Sequence, residues 1–103
     1  MGDQAGPVRT YEGAVAIITG GASGIGKALG EELATRGCEV ILADLQYEKA
    51  MQVAAEISAR GGKATASELD VTDADSCESL IQSTIERCKR LDYMFNNAGI
   101  ALN

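Results

Sequence analysis

The chain has 103 residues, 46% of them apolar, with Lys and Arg numbering 9 against 15 Asp and Glu, a net charge of −6 and no histidine. That length holds one domain, and the apolar share excludes a disordered chain. The acidic balance disfavours nucleic acid and anionic membranes as partners, and the missing histidine removes the commonest general base and metal ligand. Tryptophan is absent, so the core has to be built from Val, Ile, Leu and Ala. Cys38, Cys77 and Cys88 form no Cys-x-x-Cys pair and leave one thiol over. Reduced, core-filling thiols are the expectation, and they point to the cytoplasm. No apolar run approaches the roughly 20 residues that span a bilayer, and the first ten residues hold no signal core. Gly6 stands where a myristoylation pattern needs Ser or Thr.

Residues 1–12 carry the only proline and no periodicity, and are read as a leader to a folded part over 13–103. Ala14–Thr19 is apolar on both faces, as an interior parallel strand requires. The glycines that follow predict a turn into a helix from about Gly24. Ile25, Leu29 and Leu33 mark its buried face and Gly37 its end. Glu39–Asp44 is a second strand. A second helix, Tyr47 to Arg60, carries Ala50, Val53, Ala54 and Ile57 as an apolar stripe before Gly61-Gly62. A third strand over Ala64–Asp70 leads to Thr72, the expected N-cap of a third helix. That helix would bury Cys77, Leu80, Ile81, Thr84, Ile85 and Cys88. Leu91–Asn96 is a fourth strand. Alternating strands and helices predict an α/β, doubly wound parallel sheet of Rossmann type with strand order 3-2-1-4.

Within this frame, Thr19 to Gly26 reads Thr-Gly-Gly-Ala-Ser-Gly-Ile-Gly. Gly20 would turn the chain off the strand, Gly24 would let a diphosphate approach, and Gly26 would let the helix pack closely. The helix N-terminus aims unpaired N–H groups and a positive dipole end at the phosphates. Gly21–Lys27 also resembles a phosphate-binding P-loop, but Ala28 stands where that motif needs Ser or Thr. Asp44 ends the second strand 18 residues beyond Gly26, where a carboxylate would accept the adenosine ribose hydroxyls and repel a 2′-phosphate. Ser23 and Leu45 offer no positive charge, which favours NAD over NADP. The plainer role for Asp44 is capping the next helix. Asp70 suits an adenine contact or a turn, and Asn96-Asn97-Ala98-Gly99 a ribose contact or a turn. No group of residues suggests a metal site.

Four elements in order, residues 19–26, Asp44, Leu-Asp-Val at 69–71 and Asn-Asn-Ala-Gly at 96–99, resemble the short-chain dehydrogenase/reductase family. Tyr11-Glu12-Gly13 resembles its entry to the first strand, so the likeness runs from Tyr11 onward. It implies an NAD(P)-binding Rossmann domain over 13–103, with NAD or NADP as cofactor (NAD expected, from Asp44). The implied reaction is reversible hydride transfer between a small-molecule alcohol and ketone, of a kind left open. Gly20, Gly21, Ser23, Gly24, Ile25 and Gly26 would then cradle the diphosphate and Asp44 would hold the ribose. Asp70 and the backbone of Val71 would flank the adenine, and Asn97, with Ala98 and Gly99, would line the ribose and steady the central sheet. The family's catalytic Ser and Tyr-x-x-x-Lys have no counterpart: Val15, Met51 and Asn97 lie four residues past the three tyrosines. No catalytic residue is therefore assigned. The chain is expected to be the N-terminal half of a longer, oligomeric enzyme whose fourth strand would otherwise be an apolar edge. A non-catalytic dinucleotide-binding module is the alternative. A methyltransferase would share the first strands but gives Asn96–Gly99 no role.

Overall fold

A computed structural model describes residues 11–97. Its elements are β1 (Val15–Thr19), α1 (Gly24–Thr35), β2 (Glu39–Asp44), α2 (Tyr47–Ala59), β3 (Lys63–Glu68), α3 (Ala74–Cys88) and β4 (Tyr93–Asn96). The strands form one parallel sheet in the order β3-β2-β1-β4. β1 pairs with β2 from Val15↔Glu39 to Thr19↔Ala43, and with β4 from Ala16↔Tyr93 to Thr19↔Asn96.

Side-chain alternation along the strands decides where the helices lie. Ala16, Ile18, Val40 and Leu42 join Leu33 and Ala34 of α1 and Ala50, Val53, Ala54 and Ile57 of α2 in one cluster. Val15, Ile17, Ile41 and Ala43 join Leu69 and Leu80 in a second, against which Cys77, Ile81 and Cys88 of α3 pack. Two helices thus cover one face and α3 the other, so the sheet is doubly wound. β1 lies wholly inside, with Ile17 and Ile18 at 0% exposure. Burying side chains of that size contributes roughly 1.5–3 kcal/mol each.

The order in which strands are added reverses about β1. β2 and β3 step away to one side, and the third connection returns the chain to β1's other side as β4. The carboxyl ends of β1 and β4 therefore flank a topological switch point, the place where open α/β sheets bind ligands.

Local ends follow from hydrogen bonding. Schellman pairs close α1 (Gly37 N–H to Ala34 O, Cys38 N–H to Leu33 O) and α2 (Gly61 N–H to Ser58 O, Gly62 N–H to Ile57 O). The N-cap of α3 is Asp73, not Thr72. Asp73 Oδ1 accepts from Asp75 N–H at 3.0 Å and Ser76 N–H at 3.3 Å. Thr72 is consumed one turn earlier, where its N–H and hydroxyl both donate to Asp70 Oδ1 at 2.9 and 2.6 Å. That turn also ends β3 at Glu68, leaving Asp70 in the loop beyond the strand. Two further expectations are corrected. Ile25 is 77% exposed because it sits in the first turn, above the sheet edge, and Ile85 is 46% exposed. Leu91 precedes β4, because Asp92 takes up the pairing with Val15 instead.

Asp92 fastens β4 to β1. Its N–H donates to Val15 O at 2.9 Å, and its carboxylate accepts Val15 N–H at 2.8 Å. The Arg90 guanidinium donates to both carboxylate oxygens at 2.8 Å. Those Arg90 bonds first, and the Val15 N–H second, hold the Asp92 carboxyl below the usual carboxylate range. Among the described residues no helix is long and apolar enough to cross a membrane.

Two outcomes test these ends. Asp73→Ala should cost about 0.5–2 kcal/mol in urea unfolding, whereas Thr72→Ala should leave the cap of α3 intact. Equal losses would return the cap to Thr72. The lowered carboxyl of Asp92 stabilises the fold above its unfolded pKa, and that contribution fades as pH falls through the folded value. Asp92→Asn should therefore flatten the loss of stability on acidification, as read by the urea midpoint between about pH 6 and 2. An unchanged slope would mean the Asp92 contacts make no net contribution.

Candidate functional site

At the switch point the chain leaves β1 through a glycine loop held on both sides. Gly20 N–H donates to Ala43 O at 2.8 Å and Gly21 N–H to the same oxygen at 3.3 Å. Gly20 and Gly24 have φ of +70° and +59°, in the left-handed region that glycine enters without strain. Space distinguishes Gly24 from Gly26. A Cβ at Gly24 would meet nothing within 4 Å, so the backbone there is open to a ligand. A Cβ on Gly26 would collide with the Gly20 carbonyl and lie 2.9 Å from Asn97 Nδ2.

Asn97 arrives at this junction from the end of β4. Its amide donates to Gly20 O at 3.4 Å, and Thr19 Oγ1 donates to Phe95 O at 3.3 Å. The first bond ties the glycine loop to the residue following β4, the second ties β1 to β4. Ala98 and Gly99, the other two residues expected to line a ribose, lie outside the described residues.

The α1 N-terminus keeps its donors. Ser23 is the N-cap, yet its side chain makes no capping bond, and the first turn contains no acidic residue. Ser23, Gly24 and Ile25 are exposed. A helix start with unsatisfied N–H groups, a positive dipole end and no competing carboxylate suits an anion.

Asp44 stands at the adjacent strand end, half-buried. Its Oδ2 accepts Ala22 N–H at 3.0 Å and its Oδ1 accepts Gln46 N–H at 2.9 Å. One carboxylate thus bridges the glycine loop and the start of α2. The Gln46 bond is the local turn the sequence allowed; the Ala22 bond crosses between elements. Each oxygen retains acceptor capacity toward solvent. Ala22 itself, 2% exposed, was not legible as a site residue, because a backbone N–H leaves no mark on the sequence.

Asp70 is exposed, and its Oδ1 is occupied by both donors of Thr72, whose hydroxyl and then N–H hold its carboxyl below the usual range. The turn-forming role is therefore realised, with Oδ2 remaining for other partners. Val71 follows it, 38% exposed. Asp44, Asp70, Val71, Asn97 and the glycine loop all lie at the carboxyl edge of the sheet, but only Asp44, Asn97 and the loop are joined by direct contacts.

The cysteines lie elsewhere and none is in a disulfide. Burial pushes the Cys38 thiol up to about 11, with Asp92 and Glu39 adding to the effect. It stays protonated and unreactive. The Cys88 thiol is also raised, first by burial and then by Glu39. No group of three or more His, Cys, Asp or Glu side chains that could hold a metal occurs among the described residues.

Fold and site together define a Rossmann-type α/β chain with a glycine loop at its switch point. Comparison with known proteins carries this further. The family model for short chain dehydrogenase matches residues 14–103. Tropinone reductase-like 2 of Erythroxylum coca is 44% identical over 100 residues, covering 97% of this chain and 35% of its own length. The 2,5-dichloro-2,5-cyclohexadiene-1,4-diol dehydrogenase LinX of Sphingobium indicum is 47% identical over 88 residues, covering 85% and 35%. The crystal structure of a hydroxysteroid dehydrogenase from Escherichia coli superposes with a TM-score of 0.81 at 33% identity, covering 85% of this chain and 37% of that one. The chain belongs to the short-chain dehydrogenase family. It spans about a third of the length of the relatives it matches.

The crowding at Gly26 is testable by substitution. Gly26→Ala should lower the unfolding midpoint by more than Gly24→Ala, because the first forces α1 off the sheet. The second meets open space and costs only the roughly 1–2 kcal/mol of a left-handed alanine. Equal thermal midpoints for the two variants would show that α1 can move away from Gly20 freely.

Proposed function

We propose that this chain forms the cofactor half of an NAD-dependent oxidoreductase that moves a hydride reversibly between an alcohol and a ketone. The observation that carries the proposal is the Asp44 carboxylate, fixed by Ala22 and Gln46 beside an α1 N-terminus whose donors are free of side-chain caps. Gly20, Gly21, Ser23, Gly24, Ile25 and Gly26 would hold the diphosphate through backbone N–H groups and close approach. Asp44 would accept the hydroxyls of the adenosine ribose, and Asn97, with Ala98 and Gly99, would line the second ribose. Asp70 and Val71 would flank the adenine. NAD, when bound, supplies the hydride-accepting ring. The described residues bind and orient it, and no proton transfer is assigned to any of them. The relatives' names, a reductase-like protein and two dehydrogenases, support carbonyl–alcohol chemistry. Free, protonated thiols suit a reducing compartment, and the cytoplasm is the proposed location.

The preference for NAD follows from charge. A 2′-phosphate beside the Asp44 carboxylate would meet like charge at about 4 Å, costing about 1–4 kcal/mol, or roughly tenfold to nearly a thousandfold in affinity. Dissociation constants for NAD and NADP should be measured on the protein expressed from its complete gene. Asp44→Ala should weaken NAD, by loss of the ribose acceptor, and weaken NADP less or tighten it. An unchanged ratio between the two nucleotides would remove Asp44 from the ribose site. Gly24→Val should abolish binding of both while the far-ultraviolet helix signal persists.

A further inference from the structure

We infer that Glu68 is a second determinant of cofactor choice, an acid that acts beside Asp44 to exclude a 2′-phosphate. The inference rests on reading Asp44 as the ribose-binding residue. Asp44 and Glu68 are register partners, the last pair of the parallel β2–β3 ladder. Leu69 N–H donates to Asp44 O at 3.1 Å, so the strands stay together to the sheet edge. Parallel neighbours lie about 4.7–4.9 Å apart, and alternation sends every second side chain to the same face. Val40 and Leu42 on β2, and Ala64 and Ala66 on β3, all pack into the cluster beneath α1 and α2. Asp44 and Glu68 continue those two rows, so both carboxyl groups leave the sheet on the α1–α2 side.

Their surroundings differ. Asp44 is held by two backbone N–H groups and cannot swing its charge away from the loop without losing both. Glu68 is exposed, and among the described residues it makes no ion pair or side-chain hydrogen bond. It lines an open recess with Leu45, Gln46, Tyr47, Glu48 and Lys49, immediately beyond Asp44. Glu68 and Glu48 thus put two carboxylates in the lining of this recess against the single ammonium of Lys49, with Asp44 next to it along the chain. A phosphate ester on the 2′-oxygen of a ribose gripped by Asp44 would bring up to two negative charges into this rim. A free ribose hydroxyl brings none. Exclusion by Glu68 is therefore a through-solvent charge effect that adds to the direct clash at Asp44.

The test uses NADP and NAD as probes, with the protein expressed from its complete gene and binding measured at low and at physiological salt. Glu68→Gln should tighten NADP by about three- to tenfold at low salt, with Glu68→Lys stronger still and NAD unchanged within about twofold. The gain should shrink as salt is raised. Glu48→Gln removes the same charge from the first turn of α2 and should have the smaller effect. The inference is overturned if the NADP/NAD ratio is unchanged in both Glu68 variants, or if Glu48→Gln matches Glu68→Gln. Asp44→Ala separates the two levels: a shifted ratio there with none at Glu68 rejects Glu68 alone. An unshifted ratio at Asp44 rejects the ribose reading beneath it.

Discussion

The packing of Gly26 against the Gly20 carbonyl sets the distance between α1 and the sheet, and the site geometry follows from that distance. Any β-carbon at Gly26 would push the helix outward, away from the end of β1 and from Asn97. With hydrogen alone, the first turn of α1 sits directly over the strand end, and its N–H groups open at the switch point. Gly30, one turn later, repeats the condition against Leu42, where a Cβ would lie 2.8 Å from Cδ2. Two glycines on one helical face therefore let α1 lie flat on β1 and β2.

Around that contact the loop is held by two acceptors on β2 and by one donor just beyond β4. Ala43 O of β2 takes Gly20 and Gly21, the Asp44 carboxylate takes Ala22, and Asn97 beyond β4 reaches back to Gly20. The loop is thus organised by the sheet before any ligand arrives. Preorganisation of this kind lowers the ordering cost of binding an anion, because the donors are already aimed. The Asp44 carboxylate, proposed to hold the ribose, also orders the glycine loop, so that proposal joins cofactor choice to loop geometry in one side chain.

Much of the fold was legible because its determinants are local and redundant. The apolar run before the glycines, the stripe of Ala50, Val53, Ala54 and Ile57, and the glycines ending α1 and α2 each specify their element with short-range signals. Strand order followed from alternation of strands and helices with right-handed crossovers. The failures came where two adjacent residues compete for one role. Thr72 and Asp73 are both good caps. The Asp70 turn consumes Thr72 and gives the cap to Asp73. Ile25 fits the apolar period but lies one turn above the core, and period alone does not say where a helix clears the sheet.

By itself the sequence determined the α/β pattern, the glycine loop, the family resemblance and the acid at the end of β2, because spacing along the chain carries all four. Tertiary structure alone decided which distant groups meet. The bond from Ala22 to Asp44, the reach of Asn97 to Gly20, and the pairing of Glu68 with Asp44 join residues 22, 77 and 24 positions apart. No local rule links such residues. Strand register and the depth at which α1 packs place them together, and those are properties of the closed core rather than of any segment within it.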